Sequence, residues 1–384
     1  MLAHFGNAIQ AVGAAWELTV TGQRADVVAL VQSAVNLPIM LLALPAGAMA
    51  DMWDRRTLML VAQGAMFALS LLLALLSFAG IVPPALVIGL TALLACGVAC
   101  FNPALAGSIS HIVPRAELGA AIALNILAFS VARTVGPALG GAIVATGGAK
   151  AAFVANALSY LAVILILWRW RPQVAKPQGG RRISSVIAEG FRFAATSPPV
   201  RTIMLRAITF TATGSAAWAL MPLVSSEMLG RGSFTFGMLL GALGLGSVAG
   251  AATSTWFRQR YSGETITRAA GLIYGAGCLG VSFSPPFWVM LVLLAVGGAA
   301  WVQALSGFSV AGQLWAPKQL IGRVTAMTSS VTFGGIALGS WLWGHFAETH
   351  GVAMALMASG AGMIVLPLLG LILPMPREQP TPEA

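Results

Sequence analysis

Twelve apolar runs of similar length divide this sequence and leave a narrow choice of fold. Each run is close to the ~20 residues that an α-helix needs to cross a bilayer. Backbone polar groups in lipid must be bonded within the protein, so apolar runs of this length fold as helices. The pattern predicts an all-α polytopic membrane protein with twelve transmembrane helices. The predicted spans are residues 2–20, 27–50, 57–79, 84–108, 119–147, 151–169, 201–223, 234–257, 266–284, 286–311, 320–347 and 351–373.

The scarcity of charge supports the same fold. Only 8% of the 384 residues are charged and 58% are hydrophobic, whereas a soluble domain carries about 25% charged residues. So little polar surface could not cover the apolar mass of a soluble protein. The 44 glycines and 20 prolines are typical of transmembrane helices, which tolerate proline kinks and pack closely through small residues.

The two halves of the sequence repeat each other at a constant offset of 203 residues. Chance would match small residues at one offset, but it would hardly match tryptophan, arginine and proline as well. This internal duplication predicts two parallel six-helix repeats, related about an axis along the membrane normal. The clearest matches are Trp53 with Trp256, Arg55 with Arg258, Pro114 with Pro317, Gly136 with Gly339 and Gly141 with Gly344.

A polar and basic stretch separates the sixth run from the seventh. It extends from Arg169 to about Arg201, and within it Ile183–Ala195 alternates apolar and polar residues at helical spacing. Such a segment is typical of an amphipathic helix on the membrane surface. The predicted division is a first bundle at residues 1–169, a linker at 170–200, a second bundle at 201–373 and a tail at 374–384.

The basic residues indicate which ends of the spans face the cytoplasm. Sixteen of the 21 Lys and Arg residues lie in the loops after even-numbered spans, in the linker or in the tail, and three lie in the opposite loops. The side with the excess is cytoplasmic, so the linker, the tail and both termini are predicted to be cytoplasmic. This one-sided distribution accounts for the net charge of +10 without a nucleic-acid partner.

A short charged turn between the second and third runs carries a motif. Residues 47–56 read Gly-Ala-Met-Ala-Asp-Met-Trp-Asp-Arg-Arg. They resemble the signature loop of the major facilitator superfamily, although Met52 and Asp54 depart from its pattern. The resemblance implies a gating latch, and the alternative is a solvated turn that only enforces the topology. The residues of this predicted gating motif are Gly47, Asp51, Arg55 and Arg56.

A glycine-rich stretch in the fifth run is a second motif. Proline in mid-span bends a helix, and neighbouring glycines let another helix pack closely. The stretch resembles the antiporter motif of exporters in the same superfamily, with Ala132 in place of an earlier glycine. The resemblance implies a role in antiport, and the alternative is a kink for packing. The residues of this motif are Arg133, Gly136, Pro137, Gly140 and Gly141.

Arg133 is an ionisable residue near the middle of a span. A cation there must face a partner or water, because its burial in lipid costs at least ~2.5–3.5 kcal/mol. Glu17 is the one candidate carboxylate within the spans, so a Glu17–Arg133 pair lining a central cavity is one hypothesis. In the alternative, Glu17 emerges at the outer surface and Arg133 bonds to backbone carbonyls.

Other polar and aromatic residues within the spans are candidates for a solute or proton path. The polar ones face the bundle interior in the predicted fold, where bonding between helices is the alternative role. A second set, of four aromatic residues and one methionine, would suit a bulky hydrophobic solute, and the alternative role of this set is packing. The polar candidates are Glu17, Gln10, Gln32, Asn36, Asn125 and Gln303, and the second set is Trp16, Phe129, Phe210, Trp218 and Met221.

Motifs of enzymatic chemistry are absent from the sequence. It contains no G-x-x-x-x-G-K-[ST] loop, no H-E-x-x-H and no Cys/His group with metal-ligand spacing. The sequence therefore predicts no enzyme, no cofactor and no bound metal.

Three further stretches, residues 113–118, 217–223 and 237–247, resemble the enterobactin-exporter and macrolide-efflux branch of the superfamily. The resemblance implies a monomeric secondary transporter of the bacterial inner membrane. It would export a small, amphipathic drug or siderophore-like solute by alternating access, in exchange for protons. The alternatives are a flippase for lysophospholipid or another lipid and, in a different class, a membrane scaffold or sensor that transports nothing.

Overall fold

The computed structural model describes residues 2–114, 117–170, 192–317 and 320–376, and all regular secondary structure in these ranges is helical. Most of the predicted amphipathic segment and the last eight residues of the tail lie outside them. The proposed domain boundaries and the surface helix therefore stay predictions.

The first half of the chain forms six helices across the molecule. The fifth and sixth belong to one continuous helix, Leu118–Arg169, which is bent at Gly148 with φ 71° and ψ 179°. This left-handed conformation is readily adopted by glycine alone, and it reverses the chain direction without a loop. The helices are α1 Leu2–Val20, α2 Ala25–Met52, α3 Arg55–Phe78, α4 Pro84–Ile112, α5 at 118–147 and α6 at 149–169.

The second half repeats this arrangement. Its first helix, Pro198–Gly214, continues through Ala216–Leu223 into a π-helical turn, Val224–Met228, and we call the whole of it α7. Its last helix, Val352–Val365, is followed by the short turns Leu366–Leu368 and Leu369–Ile372. The remaining helices are α8 Ser233–Arg260, α9 Gly263–Ser282, α10 Phe287–Leu314 and α11 Ile321–His350, and we call the last one α12.

Eight helical segments within the described ranges are long and apolar enough to cross a membrane, and one of them, residues 127–169, contains parts of both α5 and α6. Because consecutive helices run in opposite directions, their ends lie on two faces. We call the face at which α2, α4, α6, α8 and α10 end the linker face. The face at which α1, α3, α5, α7, α9 and α11 end is the opposite face.

Polar side chains and small residues join the helices within each half. In the first half, α1 packs on α6, where Asn7 accepts a hydrogen bond from the Tyr160 hydroxyl. In the second half, the Tyr274 hydroxyl donates to the Gly214 carbonyl over 2.7 Å and so joins α9 to α7. Large apolar side chains such as Trp288, 71% exposed, cover the outside of the molecule. This distribution suits a protein whose solvent is lipid.

Candidate functional site

The first candidate region is the α5–α8 seam, where the second half of α5 packs on the first half of α8. A Cβ atom added at Gly141 would lie 2.6 Å from the Ser233 carbonyl oxygen and 2.9 Å from the Gly237 Cα. One added at Gly237 would lie 2.6 Å from the Pro137 carbonyl oxygen. The two backbones touch, so the crossing requires residues without side chains. The Ser233 hydroxyl donates one hydrogen bond across the seam, to the Gly141 carbonyl over 3.2 Å.

The predicted fifth-helix motif lies between two neighbours, α1 and α8. A Cβ atom added at Gly136 would lie 2.6 Å from the Ala8 Cβ, and one at Gly140 would lie 3.1 Å from the Ile9 Cα. Gly141 faces the other way, toward α8. The motif therefore provides close packing on two sides, which was the structural alternative. Its role in antiport stays a prediction.

The second candidate region is the α2–α11 seam, which also joins the two halves. The Ser33 hydroxyl of α2 donates to the Ala337 carbonyl of α11 over 2.6 Å. Closer to the opposite face, Gly344 packs against α2, and a Cβ atom added there would lie 3.1 Å from the Asp26 Cα. In both seams the closest approaches of the helices lie from the middle toward the opposite face.

The α2–α11 seam ends in a carboxylate. Glu348 accepts a hydrogen bond from the Ala25 backbone N–H over 2.6 Å, and it lies 3.4 Å from the Arg24 Nε. Ala25 is the first residue of α2, and a negative charge at a helix N-terminus is stabilised by ~0.3–1 kcal/mol. Sequence reasoning missed Glu348, because its one signal is an acidic residue just past the run at 320–347. Its partner lies 323 residues away in the sequence.

Arg133 lies in the middle of α5 and contacts the other half of the molecule. Its guanidinium carbon is 4.9 Å from the centroid of the Trp218 ring of α7. No carboxylate or hydrogen-bond acceptor in the part of the chain that the structure describes contacts this guanidinium. A cation–π contact contributes about 0.5–2 kcal/mol, less than the at least ~2.5–3.5 kcal/mol that a cation at this depth costs. The indole alone therefore leaves Arg133 incompletely compensated.

The predicted Glu17–Arg133 pair is wrong for this conformation. α1 and α5 run in the same direction, and Ala8 lies beside Gly136, so Arg133 lies near the level of residue 5. Glu17 is then about twelve residues further along, or roughly 18 Å at the helical rise of 1.5 Å per residue. The alternative for Arg133, bonding to backbone carbonyls, is replaced by the contact with the Trp218 ring.

The signature loop is anchored to its own half. Arg55 donates to the Gly107 carbonyl of α4 and, over 3.2 Å, to the Ala50 carbonyl. Arg56 donates to the carbonyls of Leu167, over 3.0 Å, and of Trp168, over 2.9 Å. The loop thus joins α3 to α4 and α6.

The other two members of the predicted gating motif are Gly47 and Asp51. A Cβ atom added at Gly47 would meet no described atom within 4 Å. The Asp51 side chain lies outside the described part of the structure. The gating role of the motif stays a prediction.

The second half places an equivalent arginine in the same way. Arg258, at the offset of 203 from Arg55, donates to the Ser306 carbonyl over 3.1 Å and to the Ser306 hydroxyl over 3.2 Å. Arg258 therefore bonds to α10 as Arg55 bonds to α4. The internal repeat seen in the sequence has a structural counterpart.

The polar path candidates fall into three groups. Gln10 is buried and accepts from the Asn156 amide over 3.3 Å, and Gln303 donates to the Gly250 carbonyl over 3.0 Å. These two join helices within one half, which was their alternative role. Within α2, the buried Asn36 donates to the Gln32 carbonyl over 2.6 Å. Glu17, Gln32 and Asn125 are half-buried, so their path role stays a prediction.

A resident metal has no evident site in the described ranges, where no group of three or more His, Cys, Asp and Glu side chains is placed to hold one. The close contacts between the halves define the candidate functional region, which is the pair of seams together with the Arg133–Trp218 contact beside one of them.

Comparison with known proteins agrees with this architecture. Residues 1–382 match the family model described as transmembrane secretion effector. The chain is 27% identical to the multidrug efflux pump Tap of Mycolicibacterium fortuitum, over 97% of this chain and 93% of that protein. It is 27% identical to the enterobactin exporter EntS of Shigella boydii, over 74% of this chain and 65% of that protein.

The solved structure of a point mutant of the nucleoside transporter NupG has the same fold, with a TM-score of 0.79 at 12% identity and coverage of 97% of this chain and 98% of that one. The predicted all-α polytopic fold is thereby confirmed. The relatives are membrane transporters and not enzymes. The chain belongs to the transmembrane secretion effector family of the major facilitator superfamily.

Proposed function

We propose that this protein exports a small, amphipathic drug or siderophore-like solute by alternating access, in exchange for protons. The similarity to a multidrug efflux pump and to an enterobactin exporter supports the substrate class. The observation that carries the mechanism is the pair of seams. Both join the two halves, and both close the molecule toward the same face.

Alternating access requires the two halves to part on one side while they close on the other. Here the seam contacts, from Arg133 to Gly141 on α5 and from Asp26 to Met40 on α2, lie in the middle and toward the opposite face. Release at the opposite face would break them. The bond from Ala25 to Glu348 and the contact of Gly141 with α8 would be lost in that step.

The signature loop would act in the other state of the transport cycle, in which the linker face is closed. Arg55 and Arg56 already bond to carbonyls within the first half. We expect Asp51 and these arginines to form the gating latch when the linker face closes. Glu17, half-buried in α1, is the proposed proton-carrying carboxylate.

The proposed location is the bacterial inner membrane, with the linker face and both termini in the cytoplasm. The sixteen basic residues on that side, against three on the other, support this orientation. The proposed partners are the solute, protons and membrane lipid, and the protein is proposed to act as a monomer.

Efflux from energised membrane vesicles tests the proposal. Inverted vesicles that carry the protein should accumulate at least one compound from a panel of drugs and siderophores when a pH gradient is present, and an uncoupler should abolish the accumulation. Movement of labelled lysophospholipid without a gradient would instead favour a flippase. No flux for any compound, with a cellular phenotype that survives Asp51→Asn and Arg133→Gln, would favour a scaffold.

A further inference from the structure

The contact between Arg133 and Trp218 has an unusual chemistry, since both polar groups can only donate hydrogen bonds. A guanidinium carries five N–H donors and no acceptor, and an indole carries a single N–H donor. The Trp218 Nε1 is buried and has no hydrogen-bond partner in the described part of the chain. Within the described residues, the Arg133 guanidinium contacts no carboxylate and no other acceptor. Whatever satisfies this pair must therefore supply acceptors.

The pair lies at the middle of the interface between the halves, which is where transporters of this architecture bind their solutes. Arg133 lies 15 residues after Leu118 and 14 before Gly147, at the middle of α5. Trp218 belongs to the other half of the molecule, so the contact crosses the interface that alternating access must open. The two residues lie beside the close crossing of α5 and α8, where a Cβ atom added at Gly244 would lie 2.6 Å from the Thr134 Cα.

Acidic residues in the described ranges lie near the helix ends rather than at this depth. Glu17 belongs to the last turn of α1, Glu227 to the end of α7, Glu264 to the start of α9 and Glu348 to the end of α11. No protein carboxylate in these ranges pairs with Arg133, so the positive charge at the middle of the interface is available to a ligand.

We infer that Arg133 and Trp218 form the recognition point for an anionic group of the exported solute, such as a carboxylate, a catecholate or a sulfonate. The guanidinium and the indole N–H donate to the oxygen atoms of that group, and the adjacent apolar part of the solute packs beside the indole ring. The inference rests on the proposed export function, because it specifies the solute class as anionic and amphipathic. A cationic solute of the same size is disfavoured by repulsion from Arg133.

Equilibrium binding to the purified protein tests this inference without any need for flux. Two dyes with the same xanthene core, fluorescein (anionic) and rhodamine 6G (cationic), separate charge from size and aromaticity. The wild-type protein in lipid nanodiscs should bind fluorescein more tightly than rhodamine 6G. Arg133→Gln should weaken fluorescein binding about ten-fold or more, as expected for a lost charge-assisted hydrogen bond, and should not weaken rhodamine 6G binding.

Two further variants and one control keep the test independent of folding. Arg133→Lys should retain the preference for fluorescein, and Trp218→Phe should reduce fluorescein binding by a few-fold, because the ring remains and the N–H donor is lost. Arg231→Gln is the matched control, since the Arg231 guanidinium also lies over a ring, that of Phe287, at 4.8 Å. It lies near the opposite face and should leave both affinities unchanged.

The outcomes separate this inference from the proposed function. A wild-type protein that prefers rhodamine 6G or binds neither dye, or an Arg133→Gln variant with unchanged fluorescein affinity, overturns the inference even if export is observed. Absence of flux in vesicles with the predicted binding pattern overturns the export function and leaves the anion site standing.

Discussion

The two seams between the halves correspond to each other in the internal repeat but are built differently. Gly141 in α5 and Gly344 in α11 are equivalent at the offset of 203, and each allows a close helix crossing. In the α5–α8 seam the backbones touch, and the one side-chain hydrogen bond between described residues, from Ser233, spans 3.2 Å. In the α2–α11 seam, Ser33 donates over 2.6 Å and Glu348 binds the N-terminus of the opposing helix.

This difference indicates two ways to close the same face. Closure of the α5–α8 seam depends on shape, because a backbone contact tolerates no added atom. Closure of the α2–α11 seam depends also on charge, because a carboxylate accepts from a helix N-terminus at its end. A change of shape should therefore damage the first seam most, and a change of charge should damage the second.

The largest effect is expected from Gly141→Ala. The added Cβ would lie 2.6 Å from the Ser233 carbonyl oxygen, so the helices must separate. Overpacking of this kind costs about 1–3 kcal/mol, and transport in vesicles should fall on the order of ten-fold. Gly119→Ala in the same helix is the control, because a Cβ atom there meets no atom of the described residues within 4 Å. Equal transport by the two variants would show that the α5–α8 seam does not depend on close backbone contact.

A smaller effect is expected from Glu348→Gln. Glutamine can still accept from the Ala25 N–H, but the charge that interacts with the helix N-terminus and with Arg24 is lost, at a cost of ~0.3–1 kcal/mol. Hydrogen exchange of the peptide that covers residues 25–33 should accelerate by about two- to five-fold, as this free energy implies. Glu117→Gln, which changes an exposed carboxylate at the start of α5 on the linker face, is the control. If both variants exchange like the wild type, the carboxylate does not hold the α2–α11 seam.

The smallest effect is expected as a difference between two variants of the seam serines, and it sharpens the comparison. Ser33→Ala and Ser233→Ala each remove one hydrogen bond, with a typical net contribution of about 0.5–1.5 kcal/mol. Because the hydrogen bond of Ser33 is shorter, Ser33→Ala should lower the free energy of unfolding more than Ser233→Ala does. Denaturation of both variants in one detergent measures the difference. A larger loss for Ser233→Ala would reverse the assignment of polar bonding to the α2–α11 seam.

The helices and their order could be predicted from the sequence to within a few residues. The predicted span at 84–108 corresponds to the helix Pro84–Ile112. The predicted spans at 119–147 and 151–169 correspond to α5 and α6, which meet at Gly148. The sequence also indicated that Gly140 and Gly141 would admit a neighbouring helix. It did not indicate that they face different neighbours, α1 and α8, because adjacent residues on a helix point in directions about 100° apart.

The candidate site was predicted less well, because its contacts join distant parts of the chain. Arg133 was recognised as a mid-span cation, but Glu17 was the wrong partner because it lies at another depth. Trp218 was one of several aromatic candidates, and only the packing of α7 beside α5 places the Arg133 guanidinium over its ring. Glu348 gave no signal beyond its acidity.

The sequence by itself determined the twelve spans, the internal repeat and the family, because lipid demands local helical bonding and duplication leaves a constant offset. Only the tertiary structure decided which helices form the two seams and which side chains meet there. The physical reason is that helix–helix contacts depend on the rotation and depth of each helix against a partner remote in the chain. A shift of one helical turn between two packed helices changes which side chains are in contact, while the apolar pattern of each segment stays the same.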